Sequence, residues 1–576
     1  MRANVIIGLI AYAASTVASV AVAGSAMADA APEISRLALR LADVESSNIG
    51  IRIHDFKAGR IEDVVSSQRD DGSWPGIDYK NLSRGNWPPA VEHLEKRVLA
   101  LAAAYHRSHD PVLAAAVKRG LDWWVETRLS CPNWWWNDIG APQSVGLAAV
   151  LILPTLADED RMRYAGYLSR SKIGMTGQNR IWLARIVMMR GIVAGDESLV
   201  DSAVRVFNEE LCISQGPEGL ASDWSFRQHG PQLQLGNYGL AFAVDMSRLA
   251  HILSTTRWEF PREKLELLGN FLERGLRWTV WRGRMDVSAL GRQLQPGKAK
   301  SKADAVALSI AECEAVGWRF PEKSPTGFRF FPKGAYAIWR TEDWMASVKM
   351  HTHDILETET WINNENTQGG HLADGALFMR ATGREYEDIF PLWRNWRLVP
   401  GVTSYRELPP VSRPHSHSSG ANELNEMTAE EVSGGAIVDF GLCREGLSVH
   451  KRWRFTADGV EATGTGISST RTDSPVVTCV EHCLAATNAC VLSRDGNGVR
   501  FVNGDFEYTI FAPPESVSVV IEEREGDWGL MHPNLAGVVR KGRVLCATID
   551  HGVAPASASY HYCIKRCPQG RQDTLK

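Results

Sequence analysis

Four separate segments of the chain carry an amide, an imidazole, a phenol and a guanidinium that together suit proton-transfer chemistry. The residues are Asn179, His229, Tyr238 and Arg292, and several of them are flanked by glycine. A phenol or an imidazole can remove a proton from carbon, while an amide and a guanidinium can stabilise the negative charge that results. Each residue alone is as well explained by a loop or a surface charge, so the hypothesis depends on the four together.

Tryptophan is unusually abundant, with 20 residues in a chain of 576, against a usual share of about 1%. Flat indole faces stack on sugar rings, although a large core also uses tryptophan. Trp134, Trp135 and Trp136 are adjacent, and three neighbouring side chains cannot all face one core. We therefore expect at least one of them to be exposed, in a cleft that binds a carbohydrate.

The overall charge excludes one broad class of partner. Lys plus Arg total 63 and Asp plus Glu total 67, which gives a net charge of −4. A nucleic-acid-binding protein usually carries a clear basic excess, so we expect no nucleic acid partner. A local cluster of arginines can still bind an acidic ligand.

Hydrophobic spacing divides the chain into a helical part and a β part. Residues 31–322 show helical periodicity, with Leu113, Val117, Leu121 and Trp124 spaced by three and four. Residues 326–576 show alternating patterns and glycine-punctuated strands, which indicate antiparallel sheets. Length and pattern therefore predict two domains.

Residues 1–30 are typical of a signal peptide, with a basic Arg2, an apolar stretch and small residues near Ala28. A membrane anchor is the alternative. No later stretch is long and apolar enough to span a membrane. We therefore expect cleavage, no membrane span afterwards, and a secreted or periplasmic protein.

The ten cysteines and one histidine-rich segment raise the question of a metal site. Cys479/Cys483 and Cys563/Cys567 are spaced C-x3-C, but no convincing histidine pattern accompanies them. The segment from His351 to Asp354 could bind a metal on a strand face, although a polar loop is the favoured interpretation. We predict structural cysteines, no catalytic metal and no cofactor.

The candidate residues, in their order along the chain, resemble polysaccharide lyase family eight, which includes hyaluronate, chondroitin and xanthan lyases. Asn179 to His229 spans 50 positions, His229 to Tyr238 spans 9, and Tyr238 to Arg292 spans 54, similar to the family's catalytic spacing. The resemblance covers most of the mature chain and implies an incomplete α/α toroid followed by an antiparallel β-sandwich. Further segments that resemble the family are 71–79, 133–140, 331–333, 365–366 and 400–401.

The resemblance implies β-elimination from an acidic polysaccharide, which leaves a 4,5-unsaturated uronate. Asn179 with His229 would neutralise the uronate carboxylate, and Tyr238 would take the C5 proton and return it to the leaving oxygen. Arg292 would lower the pKa of Tyr238. His229 is the alternative base if the substrate stereochemistry is opposite.

The remaining candidates would support these four residues. Glu365 would orient Arg292 or His229, and Asn366, in the same segment, would bind substrate. The family often has a second arginine where this chain has Pro296, and Arg284 or Lys298 would compensate. Trp134 and Trp135 would stack on sugar rings.

Two other functions remain open from the residues alone. A glycoside hydrolase on a similar helical toroid would need two carboxylates across the bond, and Asp138, Asp223 and Asp286 are available. A non-catalytic polysaccharide-binding protein would keep the tryptophans without needing the Tyr–His pair. We expect a monomer, and the sequence leaves the identity of the polymer open.

Overall fold

The computed structural model describes residues 32–55, 60–83, 87–409 and 422–567, with the backbone alone for residues 48–55. The proposed signal peptide, residues 1–30, therefore lies outside the described residues. The chain forms two compact units. In the described residues, no helix combines the length and the apolar character needed to cross a bilayer.

The first unit is helical and comprises residues up to 175, 179–209 and 248–261. Its helices are α1 (Glu33–Asp55), α2 (Ile61–Ser66), α3 (Leu99–Ser108), α4 (Pro111–Thr127), α5 (Ala141–Leu151), α6 (Asp158–Leu168), most of α7 (Gly177–Ala194) and α8 (Glu197–Glu210), together with the C-terminal part of α9 (Leu240–Leu253). Helix α3 packs on α1, α4 and α5, and α5 also packs on α6. The core of this unit is therefore formed between successive helices.

Helix α4 shows why the sequence folds locally in this way. The Asp110 side chain accepts a hydrogen bond from Val112 N at 2.8 Å, and proline occupies the first helical turn. The helix ends at Arg128, which has a left-handed backbone. The four residues that the periodicity assigns to one face, 113, 117, 121 and 124, are all buried.

The second unit contains the remaining helices, α10 (Arg262–Arg274) and α11 (Lys298–Ala315), the start of α9, and every named strand. The short hairpins are β1 (Gly219–Leu220) with β2 (Phe226–Arg227), and β3 (Val280–Trp281) with β4 (Arg284–Met285). A four-stranded sheet follows in the order β5 (Gly327–Phe331), β6 (Tyr336–Arg340), β7 (Met345–Lys349) and β8 (Ala376–Arg380).

Two further antiparallel sheets, of four and eight strands, complete this unit. One has the order β18 (Val517–Asp527), β19 (Val539–Val553), β14 (Pro475–Leu484), β9 (Thr403–Tyr405). The eight-stranded sheet has the order β10 (Met427–Val432), β11 (Gly435–Arg444), β12 (Leu447–Thr456), β13 (Gly459–Ser469), β20 (Ala558–Arg566), β17 (Phe506–Ile510), β16 (Gly498–Asn503), β15 (Cys490–Asp495). Side chains of β12 alternate between buried and exposed, as the sequence pattern predicts. The fold class, helices followed by antiparallel sheets, is confirmed.

Candidate active site

A π-helical turn, Leu235–Gly239, carries Tyr238 in the second unit. This turn leaves no room for a side chain at Gly236, where a Cβ atom would overlap the carbonyl oxygen of Ala289. Nζ of the buried Lys302 donates a hydrogen bond to the Gly236 carbonyl. Close packing on one side and this buried donor on the other therefore fix the backbone that presents the phenol. Such turns are rare and are frequently found at functional sites.

His229 lies beside this phenol in an unusual backbone conformation. Its φ is +60°, a left-handed value that non-glycine residues rarely adopt. The imidazole ring meets the Tyr238 ring edge-on, with 4.8 Å between centroids. Nδ1 lies 2.8 Å from Oε2 of Glu359, and a fifth of the histidine side chain is exposed. Glu359 therefore fixes the orientation of the imidazole ring, and the Tyr238 phenol packs against that ring.

Arg292 is the cation of the cluster and is buried. Its Nε donates to Glu365 at 2.6 Å, and its Nη1 donates to Glu359. The guanidinium carbon lies 5.5 Å from the centroid of the Tyr238 ring. Burial alone would lower the pKa of Arg292, but Glu359 and the other neighbours hold it well above its usual value. The group is thus a permanent positive charge beside the phenol.

Glu359 joins the two halves of the cluster and is not among the residues predicted from the sequence. One oxygen contacts His229, the other accepts from Arg292, and the side chain is fully buried. Burial would raise the pKa of Glu359, but the Arg292 charge and the His229 hydrogen bond lower it to about 2. Glutamates also occur nearby at positions 357 and 365, so the sequence alone does not distinguish Glu359 from them.

Glu365 and Asn366 support this arrangement from a strained segment. Glu365 binds Arg292, as predicted, and its second oxygen accepts from Gln295 at 2.6 Å. Asn366 is fully buried, and its Nδ2 donates to the Glu359 carbonyl at 3.0 Å. The asparagine therefore holds the backbone of Glu359, whereas the sequence suggested a direct contact with substrate. Four residues of this segment have positive φ: 361, 363, 364 and 366.

Arg284, the second suggested cation, is engaged elsewhere. Its Nε donates to Glu387 at 2.7 Å, and its side chain is largely buried. The structure therefore brings His229, Tyr238 and Arg292 together with two glutamates, and places Arg284 in a separate ion pair.

Asn179 belongs to the helical unit and lies near the start of α7. It is buried, and its Oδ1 has no hydrogen-bond partner among the described residues. The preceding residues belong to the second unit, where Gln178 N donates to Gln228 at 3.4 Å and Gly177 N donates to Glu210 at 3.0 Å. The start of this helix is thus anchored by polar contacts on the residues just before Asn179.

The adjacent tryptophans of the helical unit differ in exposure, as expected. Trp134 is 45% exposed, Trp136 is buried, and Trp135 is half-buried. The Trp135 ring packs edge-on against Trp182 at 5.5 Å. Trp182 lies three positions after Asn179 on α7, and residues spaced in this way lie on one helix face. Trp135 therefore contacts the helix face that carries Asn179.

The phenol differs from expectation in one respect. We expected Arg292 to lower the pKa of Tyr238 below its ordinary value. Burial raises the pKa of Tyr238, and although the Arg292 charge opposes this, the net direction is upward. Tyr238 is therefore a neutral phenol in the free protein at neutral pH.

Two of the three carboxylates suggested for a hydrolase, Asp286 and Asp223, have structural partners. Asp286 is fully buried, accepts from the Tyr336 hydroxyl at 2.7 Å and pairs with Arg380. Asp223 accepts from Lys333 N at 2.6 Å and caps its own turn. A hydrolase also needs one carboxylic acid with a raised pKa. The cluster at Tyr238 contains the opposite, because the pKa of Glu359 is lowered to about 2.

The two histidines of the segment considered for a metal site differ in exposure to solvent. His351 is buried, and its Nδ1 lies 3.0 Å from the Ala373 carbonyl. His353 is exposed and contacts its neighbour Asp354. The two rings therefore do not share an environment, and the segment is a polar loop at the end of β7. All ten cysteines lie within the described residues, and all are free thiols.

Comparisons with known proteins match two domains of one family to this chain. The N-terminal alpha-helical domain of polysaccharide lyase family 8 matches residues 48–316, and the super-sandwich domain of the same family matches residues 326–572. Together these matches cover most of the chain.

The similar proteins found are named as polysaccharide lyases. The chain is 24% identical over 539 residues to chondroitinase-AC of Pedobacter heparinus, covering 87% of this chain and 76% of that protein. It is 23% identical over 599 residues to a hyaluronate lyase of Thermasporomyces composti, covering 87% and 74%. A solved chondroitinase AC lyase has the same fold, with a TM-score of 0.82 at 21% identity, covering 94% and 84%. The resemblance inferred from the sequence is confirmed: the chain belongs to polysaccharide lyase family 8 and is a polysaccharide lyase.

Proposed function

We propose that the enzyme cleaves a uronic-acid polysaccharide of the chondroitin or hyaluronan kind by β-elimination, with Tyr238 as the base. The observation that carries this proposal is the contact of His229, Arg292 and Tyr238 around Glu359. The relatives named chondroitinase-AC and hyaluronate lyase support the substrate class. A uronate presents an acidic C5 proton next to a carboxylate, which suits this set of side chains.

The elimination proceeds by transfer of one proton. Tyr238 takes the C5 proton, the electron pair of the C5–H bond forms the C4–C5 double bond, and the C4–O4 bond breaks. The same phenol then protonates the leaving O4, so the residue returns to the phenolate that began the cycle. Because the resting phenol is neutral, it must first release its own proton to solvent to form this phenolate. Arg292 favours that phenolate.

The substrate carboxylate gains charge as the proton leaves and must be stabilised by donors. Glu359 binds Nδ1 of His229 and fixes the orientation of the imidazole ring, and the doubly protonated ring would donate from Nε2 to the substrate carboxylate. Asn179 would supply an amide donor, its Nδ2, to a substrate carboxylate. Trp134 and Trp135 would stack on the sugar rings that flank the scissile bond.

The location, assembly and domain division form part of the same proposal. Residues 1–30 would act as a cleaved signal peptide, so the enzyme would reach its polysaccharide outside the cytoplasm. The mature chain would be a monomer with a catalytic domain of residues 31–322 and a β-sandwich of residues 326–576. N-terminal sequencing of the exported protein and light scattering test the first two points.

The direct test of the reaction is ultraviolet absorbance during incubation with chondroitin, hyaluronan, xanthan and glucuronan. A conjugated alkene-carboxylate absorbs where the intact polymer does not. The products of elimination also lack the mass of the water molecule that hydrolysis would add. We expect such products from chondroitin or hyaluronan. New reducing ends with saturated, hydrated products would overturn elimination. Unsaturated products from xanthan or glucuronan alone would overturn the substrate class.

A further inference from the structure

Three potential metal ligands converge on the outer face of the eight-stranded sheet. Strands β13 and β20 pair antiparallel, and this register places Glu461 directly opposite Cys563. His561 lies two residues before Cys563 on the same strand, so both side chains share one face. The alternate residues Tyr560 and Tyr562 are buried on the other face, whereas the three ligands are partly exposed.

The ligand atoms are close enough to bind one ion. His561 Nε2 lies 2.9 Å from Oε1 of Glu461 and 3.9 Å from Sγ of Cys563. All three donor atoms lie within 4.8 Å of one another. Tetrahedral zinc, with bonds of about 2.0–2.3 Å, requires donor atoms about 3.3–3.6 Å apart. Small shifts of these side chains would therefore complete the geometry.

The surroundings orient the imidazole and leave one side open. The Phe511 ring stacks on His561 with 4.5 Å between centroids, and Phe511 N donates to the His561 carbonyl at 3.0 Å. Glu461 and Cys563 also line an open cleft of about 280 Å³ that includes Arg454 and Lys565. A fourth ligand can therefore come from solvent.

We propose that Glu461, His561 and Cys563 form a zinc site, with water as the fourth ligand. Thiolate and imidazole donors select zinc over magnesium or calcium, which prefer oxygen ligands throughout. On binding, the Cys563 thiol releases its proton, and neutral His561 donates its Nε2 lone pair. The bound ion would join β13 to β20 in the middle of the sheet.

This site differs from the C-x3-C pair visible in the sequence. Cys567 Sγ lies 4.0 Å from a carboxylate oxygen of Glu507 and is outside the group of three. The glutamate ligand comes from a strand 100 residues earlier, so spacing along the sequence could not reveal the set. Cys567 is therefore a matched control for Cys563.

The experiment titrates the purified full chain with Co²⁺ after chelator treatment, and compares the wild type with Cys563→Ser, His561→Ala and Cys567→Ser. We expect a thiolate-to-cobalt charge-transfer band that saturates at one ion per chain. The band should be absent in Cys563→Ser and unchanged in Cys567→Ser, and Co²⁺ affinity should fall at least about tenfold in His561→Ala. Zn²⁺ should displace the cobalt.

Thermal unfolding is a second measurement, which identifies a variant that fails to bind metal only because it is misfolded. Zn²⁺ should raise the Tm of the wild type and of Cys567→Ser by a few degrees, and leave that of Cys563→Ser unchanged. The absence of a cobalt band in the wild type would overturn the site. A band that survives in Cys563→Ser, or disappears in Cys567→Ser, would overturn this choice of ligands.

Discussion

At the scale of single residues, the candidate site depends on one buried carboxylate that serves two partners. Glu359 binds His229 through one oxygen and Arg292 through the other. Removing its charge should leave the imidazole free to rotate and the guanidinium with a weaker partner. Such misplacement near reacting atoms costs a large factor in rate even where the substrate still binds.

We predict that Glu359→Gln lowers kcat by about 100-fold while KM changes little. Burial raises the pKa of Tyr238 most, and the negative charge of Glu359 raises it further. The rise of activity with pH should therefore move to lower pH in this variant. Glu357→Gln is the matched control, because Glu357 also pairs with a buried arginine, Arg444. Steady-state kinetics across pH would measure both effects, and equal losses in the two variants would contradict a positioning role.

Asn179→Ala should lower kcat by about 100-fold or more, the loss typical of removing one donor to a developing anion. Because the Oδ1 of Asn179 has no partner among the described residues, the Tm should change little. Asn208→Ala, a helix asparagine whose amide donates to the Val204 carbonyl of its own helix, is the control. Wild-type turnover in Asn179→Ala would exclude the amide from the reaction.

The sequence was sufficient to select His229, Tyr238 and Arg292, because their order and spacing follow a family pattern. It was not sufficient to find Glu359, since several glutamates lie nearby and only the fold decides which one is buried between a histidine and an arginine. It also predicted that Arg292 lowers the pKa of Tyr238, as it does, but not that burial raises this pKa by more. Charge is visible in a sequence, whereas the burial that outweighs it here is not.

At the scale of elements, two π-helical turns coincide with segments that carry candidate residues. Trp136–Gly140 follows the exposed Trp134, and Leu235–Gly239 carries Tyr238. Helical periodicity predicted the ordinary helices well, including the buried face of α4. It did not predict these turns, because Leu-Gly-Asn-Tyr-Gly has two poor helix formers and the turn depends on packing against Ala289.

Gly236→Ala should displace the turn, because the added Cβ would overlap the Ala289 carbonyl. We predict a loss of about 1–3 kcal/mol in the free energy of unfolding and at least about a tenfold loss of kcat. Gly166→Ala is the control, since nothing lies within 4 Å of that position in α6. Urea titration and kinetics together test this prediction, and a fully active Gly236→Ala enzyme would refute it.

At the scale of the whole molecule, the candidate cluster draws on both parts of the sequence. His229, Tyr238 and Arg292 precede the change from helix to strand near residues 322–326, and the two glutamates follow it. All five lie in the second compact unit. The sequence located the change in pattern, but it could not show that this unit combines helices and strands from both sides of that change.

Buried histidines should make the molecule sensitive to mild acid. Burial lowers the pKa of His93 and His351 to about 4 and that of His482 to about 3, whereas an unfolded histidine has a pKa of about 6.5. The unfolded chain therefore binds more protons between these values. The stability that these neutral rings contribute is complete above a pH of about 6.5 and is lost as the pH falls toward about 4.

We predict that the free energy of unfolding falls by several kcal/mol between about pH 7 and pH 4.5, at about 1–3 kcal/mol for each ring. Urea unfolding at a series of pH values would measure this. His351→Gln should show a shallower decline than the wild type. A stability that is level across this range would mean that the rings are not buried in their neutral form.

The most direct test of the proposed chemistry is Tyr238→Phe, assayed by the ultraviolet absorbance of the unsaturated product and by equilibrium binding of the same oligosaccharide. The substitution removes one hydroxyl and keeps the ring that His229 and Arg292 contact. If Tyr238 is the base, product formation should fall by at least about 1,000-fold, and the Kd should stay within a fewfold of the wild-type value. Near-normal turnover in this variant would contradict the assignment and leave His229 as the base.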